Sequence, residues 1–551
     1  MTTKTTINKH SMKNYMLVAV SFALGTLAYG QTLEEALKKT DNERYELAKK
    51  EYRALIAKEP AKGDYYFYLG ENFRKQGELD SALGAWQQGV KADAVGPLSL
   101  VGSGNILWYK GDTAAARKQF ISACATTKHK NAEVMRQVGA TYTYAPIKNL
   151  DAAIKLLNDA IKLDPKNIEG YLILGDALLE KTPSNGSPAI AQYNKALDID
   201  PKNCKGIVRK AKLYQRGRAY EEANGLYKDA QTLDPTYAPA YRENAELNML
   251  FDQHSRAIEN WKKYLELNNS DEARYRFATA LFSGKKYCEA ITELETIQAN
   301  GFVNLYTRRM LTYSLYECNP ESKVELNQKG LEQSDKFFQL APSDKVIGLD
   351  YKYRGLHLSK MAKDSLAIIE LEKAMLLDSA KRGELAGDVA KMYLKAKKYD
   401  PAIANYQIKW NGNAENLNAT EFYELGRAYY FGPKDYKMAD SCFKAVSEKA
   451  PDFAMAYFWR GRSNLKLDIA PTKYLAKPYY EKFLESLTEE EKVAANQKAN
   501  QIEASKYLGD YYVNSKEGKD YAKAKIFWKT VQTLEPTDAQ AKAFFASPAG
   551  K

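Results

Sequence analysis

Apolar and polar positions recur along this chain with helical spacing and a period near 34 residues. Tyr171, Leu174, Gly175 and Leu178 form one stripe, large–large–small–large, and Tyr66, Leu69, Gly70 and Phe73 repeat it. A second stripe follows in each unit, small–large–small: Ala153, Leu157, Ala160; Ala189, Tyr193, Ala196; Ala223, Tyr227, Ala230. Steps of three and four put each stripe on one face of a helix. The unit is therefore two antiparallel helices whose backbones approach closely at the small residues. Half the units close with a proline, and counting that residue as position 32 puts the small residues at positions 8 and 20 and the large one of the second helix at 24.

The units are punctuated. "IKLDPKN" at Ile161–Asn167, "LDIDPKN" at Leu197–Asn203 and "QTLDPTY" at Gln231–Tyr237 place prolines at 165, 201 and 235. Proline lacks an amide donor and disfavours helix at the preceding residue, so the phrase predicts the end of one unit and the opening of the next. Fourteen units can be placed, with Ala at position 20 in all but the ninth, where Gly330 stands. Position 8 is Gly or Ala in all but the same unit, which has Met310.

This pattern resembles the tetratricopeptide repeat over nearly the whole chain beyond residue 30. The resemblance implies an all-α fold, a right-handed α-solenoid (superhelix) of about 14 helix-turn-helix units. Residues 31–302 are expected to form an N-terminal array of about eight repeats and residues 303–345 an irregular joint. Residues 346–551 are expected to form a C-terminal array, its open end covered by a helix within Thr537–Ala546. Extra residues between paired helices, at Tyr144–Asn149, Lys181–Pro188, Leu467–Lys473 and Asn514–Asp520, are expected to project from one edge of the stack.

Composition and chemistry narrow the function. The net charge of +12 comes from 81 basic against 69 acidic residues. The signs interleave without a long basic run, which reads as a solvated helical surface and not as a nucleic-acid footprint. Residues 1–30 carry Lys13, a short apolar stretch at Tyr15–Gly30 and small residues at Ala28 and Gly30. That is the grammar of a signal peptide, with translation starting at Met1 or Met12, and it predicts export to a bacterial periplasm, soluble or peripherally associated with the outer membrane. No later segment is apolar enough to span a membrane. The HExxH, GxSxG, GxxxxGK[ST] and GxGxxG patterns are absent, and His129, His254 and His357 lie in separate units. Neither an enzyme, a cofactor nor a metal site is expected. Cys288 and Cys318 fall near the helix–helix turns of neighbouring units and are candidates for a disulfide; the alternative for all five cysteines is small buried apolar side chains.

In the repeat family, partner peptides contact positions 2, 5, 9 and 12 of the first helices, so the resemblance implies a scaffold that binds protein segments there. The family's clamp for a terminal carboxylate is not matched by any three consecutive units. One stretch differs from the rest: Lys391, Arg427 and Arg462 occupy position 9 in successive units, with Tyr423, Tyr430 and Phe458 nearby. Together they form a candidate ladder for an acidic or carboxylate-bearing partner segment, expected to belong to an envelope protein complex. A weaker candidate pair is Trp108 and Tyr109. A cell-wall glycan- or peptide-binding accessory is the alternative function.

Overall fold

The computed structural model describes residues 32–378, 382–412, 417–468 and 473–551. Residues 1–30, read as a signal peptide, lie outside this range, as does part of the Leu467–Lys473 insertion. Among the described residues there are thirty α-helices, one short 3-10 turn and no strand. The chain divides into two compact units, one running to Phe302 and the other spanning Val303–Lys551.

Unit 1 contains eight helix pairs. Repeats 1 and 2 are α1 (Leu33–Asp41) with α2 (Tyr45–Lys58) and α3 (Gly63–Gln76) with α4 (Leu79–Ala92). Repeats 3 and 4 are α5 (Pro97–Tyr109) with α6 (Thr113–Thr126) and α7 (Ala132–Tyr144) with α8 (Leu150–Leu163). Repeats 5 and 6 are α9 (Ile168–Lys181) with α10 (Ser187–Ile199) and α11 (Cys204–Arg216) with α12 (Tyr220–Leu233). Repeats 7 and 8 are α13 (Ala238–Leu250) with α14 (His254–Leu267) and α15 (Asp271–Ser283) with α16 (Tyr287–Ala299).

Unit 2 begins with repeat 9, α17 (Leu305–Glu317) and the longer α18 (Val324–Leu340). Repeats 10 and 11 follow as α19 (Gly348–Lys360) with α20 (Asp364–Leu377) and α21 (Arg382–Lys395) with α22 (Tyr399–Gly412). Repeats 12 and 13 are α23 (Ala419–Phe431) with α24 (Tyr436–Lys449) and α25 (Ala454–Leu467) with α26 (Lys477–Ser486). A short α27 (Glu489–Val493) precedes repeat 14, α28 (Ala495–Asn514) with α29 (Tyr521–Leu534), and α30 (Ala539–Ala546) packs on that last pair.

The two stripes lock each pair. All thirteen alanines at position 20 have 0% exposure. At position 8 the small residue leaves a socket for the large residue at position 24 of the partner helix. A Cβ built on Gly70 would stand 2.3 Å from Trp86 Nε1, and one on Gly175 would stand 2.4 Å from the Tyr193 ring. Repeat 9 uses a different socket: a Cβ on Gly330 would meet the imidazole of His357, from the next repeat, at 2.3 Å. His357 is fully buried, its ring nitrogens 3.0 Å from Asn327 Oδ1 and 3.0 Å from the Thr312 carbonyl.

The separator phrase works differently from the expectation that proline opens the next helix. Asp164 caps the end of α8, and its carbonyl accepts the Asn167 amide at 3.2 Å. Asn167, two residues beyond Pro165, is the true N-cap of α9; its side chain accepts the Glu169 amide at 3.2 Å. Proline occupies the turn, where it has no donor to satisfy.

In repeats other than 4, 5 and 14, the helix-to-helix turn places one residue in the left-handed region. Gly77 (φ 90°) and Gly111 (φ 91°) fill it in repeats 2 and 3, Arg218 (φ 64°) in repeat 6 and Glu43 (φ 54°) in repeat 1. The amide after it donates back to the carbonyl five residues earlier, as in Glu78 to Phe73 at 2.9 Å and Arg44 to Lys39 at 2.9 Å.

Candidate partner-binding groove

The first helices of unit 1 line an open groove with a volume of about 1020 Å³. Its walls follow the repeat register. Glu169, Lys205 and Pro239 stand at position 2 of repeats 5 to 7, and Asp176, Lys212 and Glu246 at position 9 of the same repeats. Arg242 adds position 5, and Arg74, Thr143, Leu179 and Gln215 add position 12. Every 34 to 36 residues the same helix face returns, so side chains distant in sequence converge on one surface.

Most of the charges in this wall are paired between neighbouring repeats. Lys205 donates to Glu169 at 2.7 Å, and Arg209 Nε to Asp176 at 2.8 Å. Lys212 reaches Glu243 at 2.9 Å, while Tyr193 donates to Asp176 at 2.7 Å. Tyr144 also donates to Asp176, and burial together with that carboxylate pushes its phenol well above the usual tyrosine range. Burial alone would lower the Lys205 ammonium; Asp41 and Glu169 reverse that and raise it, so it remains charged.

The remaining wall is supplied by the turn between α1 and α2. Asp41 accepts from Lys205 at 3.0 Å and from Lys75 at 2.9 Å. Glu43 takes both Arg242 Nε (3.2 Å) and Nη2 (2.9 Å), and Tyr264 donates to it at 2.9 Å. Between them, buried Asn42 donates to the Thr236 carbonyl at 3.3 Å and to Asp234 at 3.3 Å, both in the separator between repeats 6 and 7. Unit 1 thus curls until its first repeat touches its sixth and seventh. Burial would raise the Asp41 carboxyl, but Lys205 and Lys75 outweigh it and hold the group well below the usual carboxylate range.

The sequence-predicted ladder is placed as follows. Phe458 is a core residue, 1% exposed and packed on Phe483 at 5.0 Å between centroids, so it forms no open wall. Arg462 lies over the rings of Phe458 and Trp459 at 4.9 and 5.1 Å and is gripped by Glu503, with Nε to Oε1 at 2.9 Å. Tyr423 accepts from Trp459 Nε1 at 2.8 Å, and Tyr430 packs edge-on to Trp459 at 5.2 Å. Lys391 is 4.0 Å from Glu421. Arg427 is exposed over the Tyr423 ring, 5.9 Å from its centroid, with no ion-pair partner among the described residues. The earlier aromatic pair is likewise packed: Trp108 is 1% exposed and donates to the Ile147 carbonyl at 2.8 Å.

Cys124, Cys204 and Cys442 are buried free thiols, whereas Cys288 and Cys318 are disulfide-bonded. Among the described residues, no helix is long and apolar enough to cross a membrane, and no cluster of His, Cys, Asp or Glu is arranged to hold a metal ion.

The tetratricopeptide repeat family profile matches residues 33–97. The RNA polymerase-associated protein CTR9 of Caenorhabditis elegans is 22% identical over 368 residues, 65% of this chain and 32% of that protein. The chain therefore spans about a third of that relative's length. Among solved structures, the C-terminal part of a TPR repeat-containing protein from Cytophaga hutchinsonii is 30% identical, covering 49% of this chain and 98% of that one, with a TM-score of 0.40. A protective antigen of uropathogenic Escherichia coli displaying an SLR fold is 16% identical, covering 81% of this chain and 97% of that one, with a TM-score of 0.42. The profile match falls on repeats built by the same position 8 and position 24 lock as those that follow, and the chain belongs to the tetratricopeptide repeat family.

Proposed function

We propose that the chain is a non-catalytic scaffold, exported to the periplasm, that binds a segment of a partner protein on the inner face of unit 1. The observation that carries the site is the cavity of about 1020 Å³, lined by first-helix positions of successive repeats and rich in side chains that donate and accept hydrogen bonds. Such a surface supports binding through several modest contacts spread over repeats. The fold of an interaction scaffold supports the non-catalytic reading. Export rests on the residues before Gln31, and a disulfide state at Cys288 and Cys318 fits an oxidising compartment. A thiol count on denatured, unreduced protein should give three, and a count of five would remove that disulfide state.

The alternative site lies in unit 2. It is centred on Arg427, whose guanidinium is exposed, with Lys391 and the Glu503-bound Arg462 beside it in the register. An acidic partner segment, as part of an envelope complex, fits its charge. The two surfaces are separated by affinity capture from an envelope fraction with the full chain as bait. Arg216→Glu reverses an exposed charge in the unit 1 cavity, and Arg427→Glu does so in unit 2. The reading expects the partner to be lost with Arg216→Glu and kept with Arg427→Glu. The opposite pattern moves the site to unit 2, and retention by both variants removes both sites.

A further inference from the structure

The charges in the unit 1 groove balance only because the chain fills it with its own turn. Eight basic and seven acidic side chains line the cavity, and two of the seven, Asp41 at the end of α1 and Glu43 just after it, lie at the α1–α2 turn. Without them the groove carries three more positive than negative side chains. The turn is inserted as a ligand would be: two carboxylates one residue apart, each held by cations from other repeats. Lys75 and Lys205 take the first at 2.9 and 3.0 Å, and Arg242 takes the second with two nitrogens, helped by Tyr264. The partners of the second carboxylate lie about two hundred residues away in sequence, 199 for Arg242 and 221 for Tyr264. Asn42 fixes the backbone between the two carboxylates by donating to the Thr236 carbonyl and Oγ1 at 3.3 and 3.2 Å.

We propose that the α1–α2 turn is a cis occupant of the partner groove, and that the groove recognises an acidic segment of the form Asp-x-Glu, which must displace the turn to bind. The recognition rests on geometry suited to carboxylates: a two-nitrogen guanidinium clamp for one and a pair of ammonium groups for the other. The affinity for a partner in trans is reduced by the fraction of molecules whose groove is already filled. This deepens the reading of the unit 1 inner face and depends on it.

Glu43 offers a variant suited to the test. It occupies the left-handed turn position that Gly77 and Gly111 fill in repeats 2 and 3, so Glu43→Gly removes the carboxylate while easing the local backbone. The probe is a fluorescent synthetic peptide with the sequence of Lys38–Glu46, titrated against the full chain by anisotropy. The unaltered chain should bind it weakly. Glu43→Gly combined with Asp41→Asn should bind about tenfold tighter or more. Adding Arg242→Gln to that variant should return binding to the weak level, as should replacing the peptide carboxylates that correspond to Asp41 and Glu43 by amides. The proposal is overturned if the emptied groove binds no tighter, if Arg242→Gln has no effect, or if the amide peptide binds equally well. Circular dichroism and a thermal melt check that each variant is folded. Glu43→Gly alone, with its relaxed backbone, gives the same reading at one carboxylate if the combined variant does not fold. A purely structural latch would lower the melting temperature without creating peptide binding. The peptide assay needs no natural partner, so its failure leaves the inner-face reading to stand or fall on the capture experiment.

Discussion

The smallest unit of this fold is a socket and the side chain that fills it. Gly70 has no Cβ because the Trp86 indole lies where one would be, 2.3 Å from Nε1, and the indole N–H donates to the Phe67 carbonyl at 3.3 Å. Gly70→Ala should therefore destabilise unit 1 by about 1–3 kcal/mol, read as a lower midpoint in denaturant, because neither backbone nor indole can yield without losing packing. An unchanged midpoint would mean that the ring is free to move. This lock was legible in the sequence because both partners lie within one unit, sixteen residues apart, and repeat at a fixed register. The exception was legible only as an irregularity. Gly330 and Met310 break the pattern in repeat 9, and the reason, His357 from the next repeat seated against Gly330, is a contact that no local spacing announces.

Among elements, the separators and turns were read correctly in place and less well in detail. Asp-Pro marks three of the boundaries, at Pro165, Pro201 and Pro235, yet at the first two the cap belongs to Asn167 and Asn203, two residues after the proline. The groove was missed for a physical reason. A search for adjacent charges of one sign finds Lys391, Arg427 and Arg462, but the groove pairs its charges by alternating them. Glu169 and Lys205 alternate at position 2, and Asp176, Lys212 and Glu246 at position 9. That alternation was the available signal. The turn that docks into the groove gives it a pH dependence. Asp41 is held below the ordinary carboxylate range, so its ionised form stabilises the folded chain above the unfolded value near 3.8, and this contribution is lost as pH falls through the lower folded value. The native chain should melt above Asp41→Asn at pH 5 to 8, and the difference should shrink below about pH 4. A difference that persists undiminished well below that pH would show that the carboxylate is not the stabilising group.

On the scale of the whole molecule, fourteen helix pairs fall into two compact units, and each builds its core from one local rule. Unit 1 curls far enough for its first repeat to reach its seventh, which turns a row of helix faces into an open groove lined by charged side chains. Sequence periodicity predicts the helix pairs but not how far they curl, because curvature accumulates from small rotations at every interface. The central claim is that a partner segment occupies this cavity. It is tested most directly by placing a photo-crosslinking amino acid at Leu179, inside the cavity, or at Asp229, exposed on the second helix of repeat 6, and irradiating intact cells. The account predicts one discrete adduct from Leu179 and none from Asp229. Adducts from Asp229 alone, or equal adducts from both positions, would contradict it.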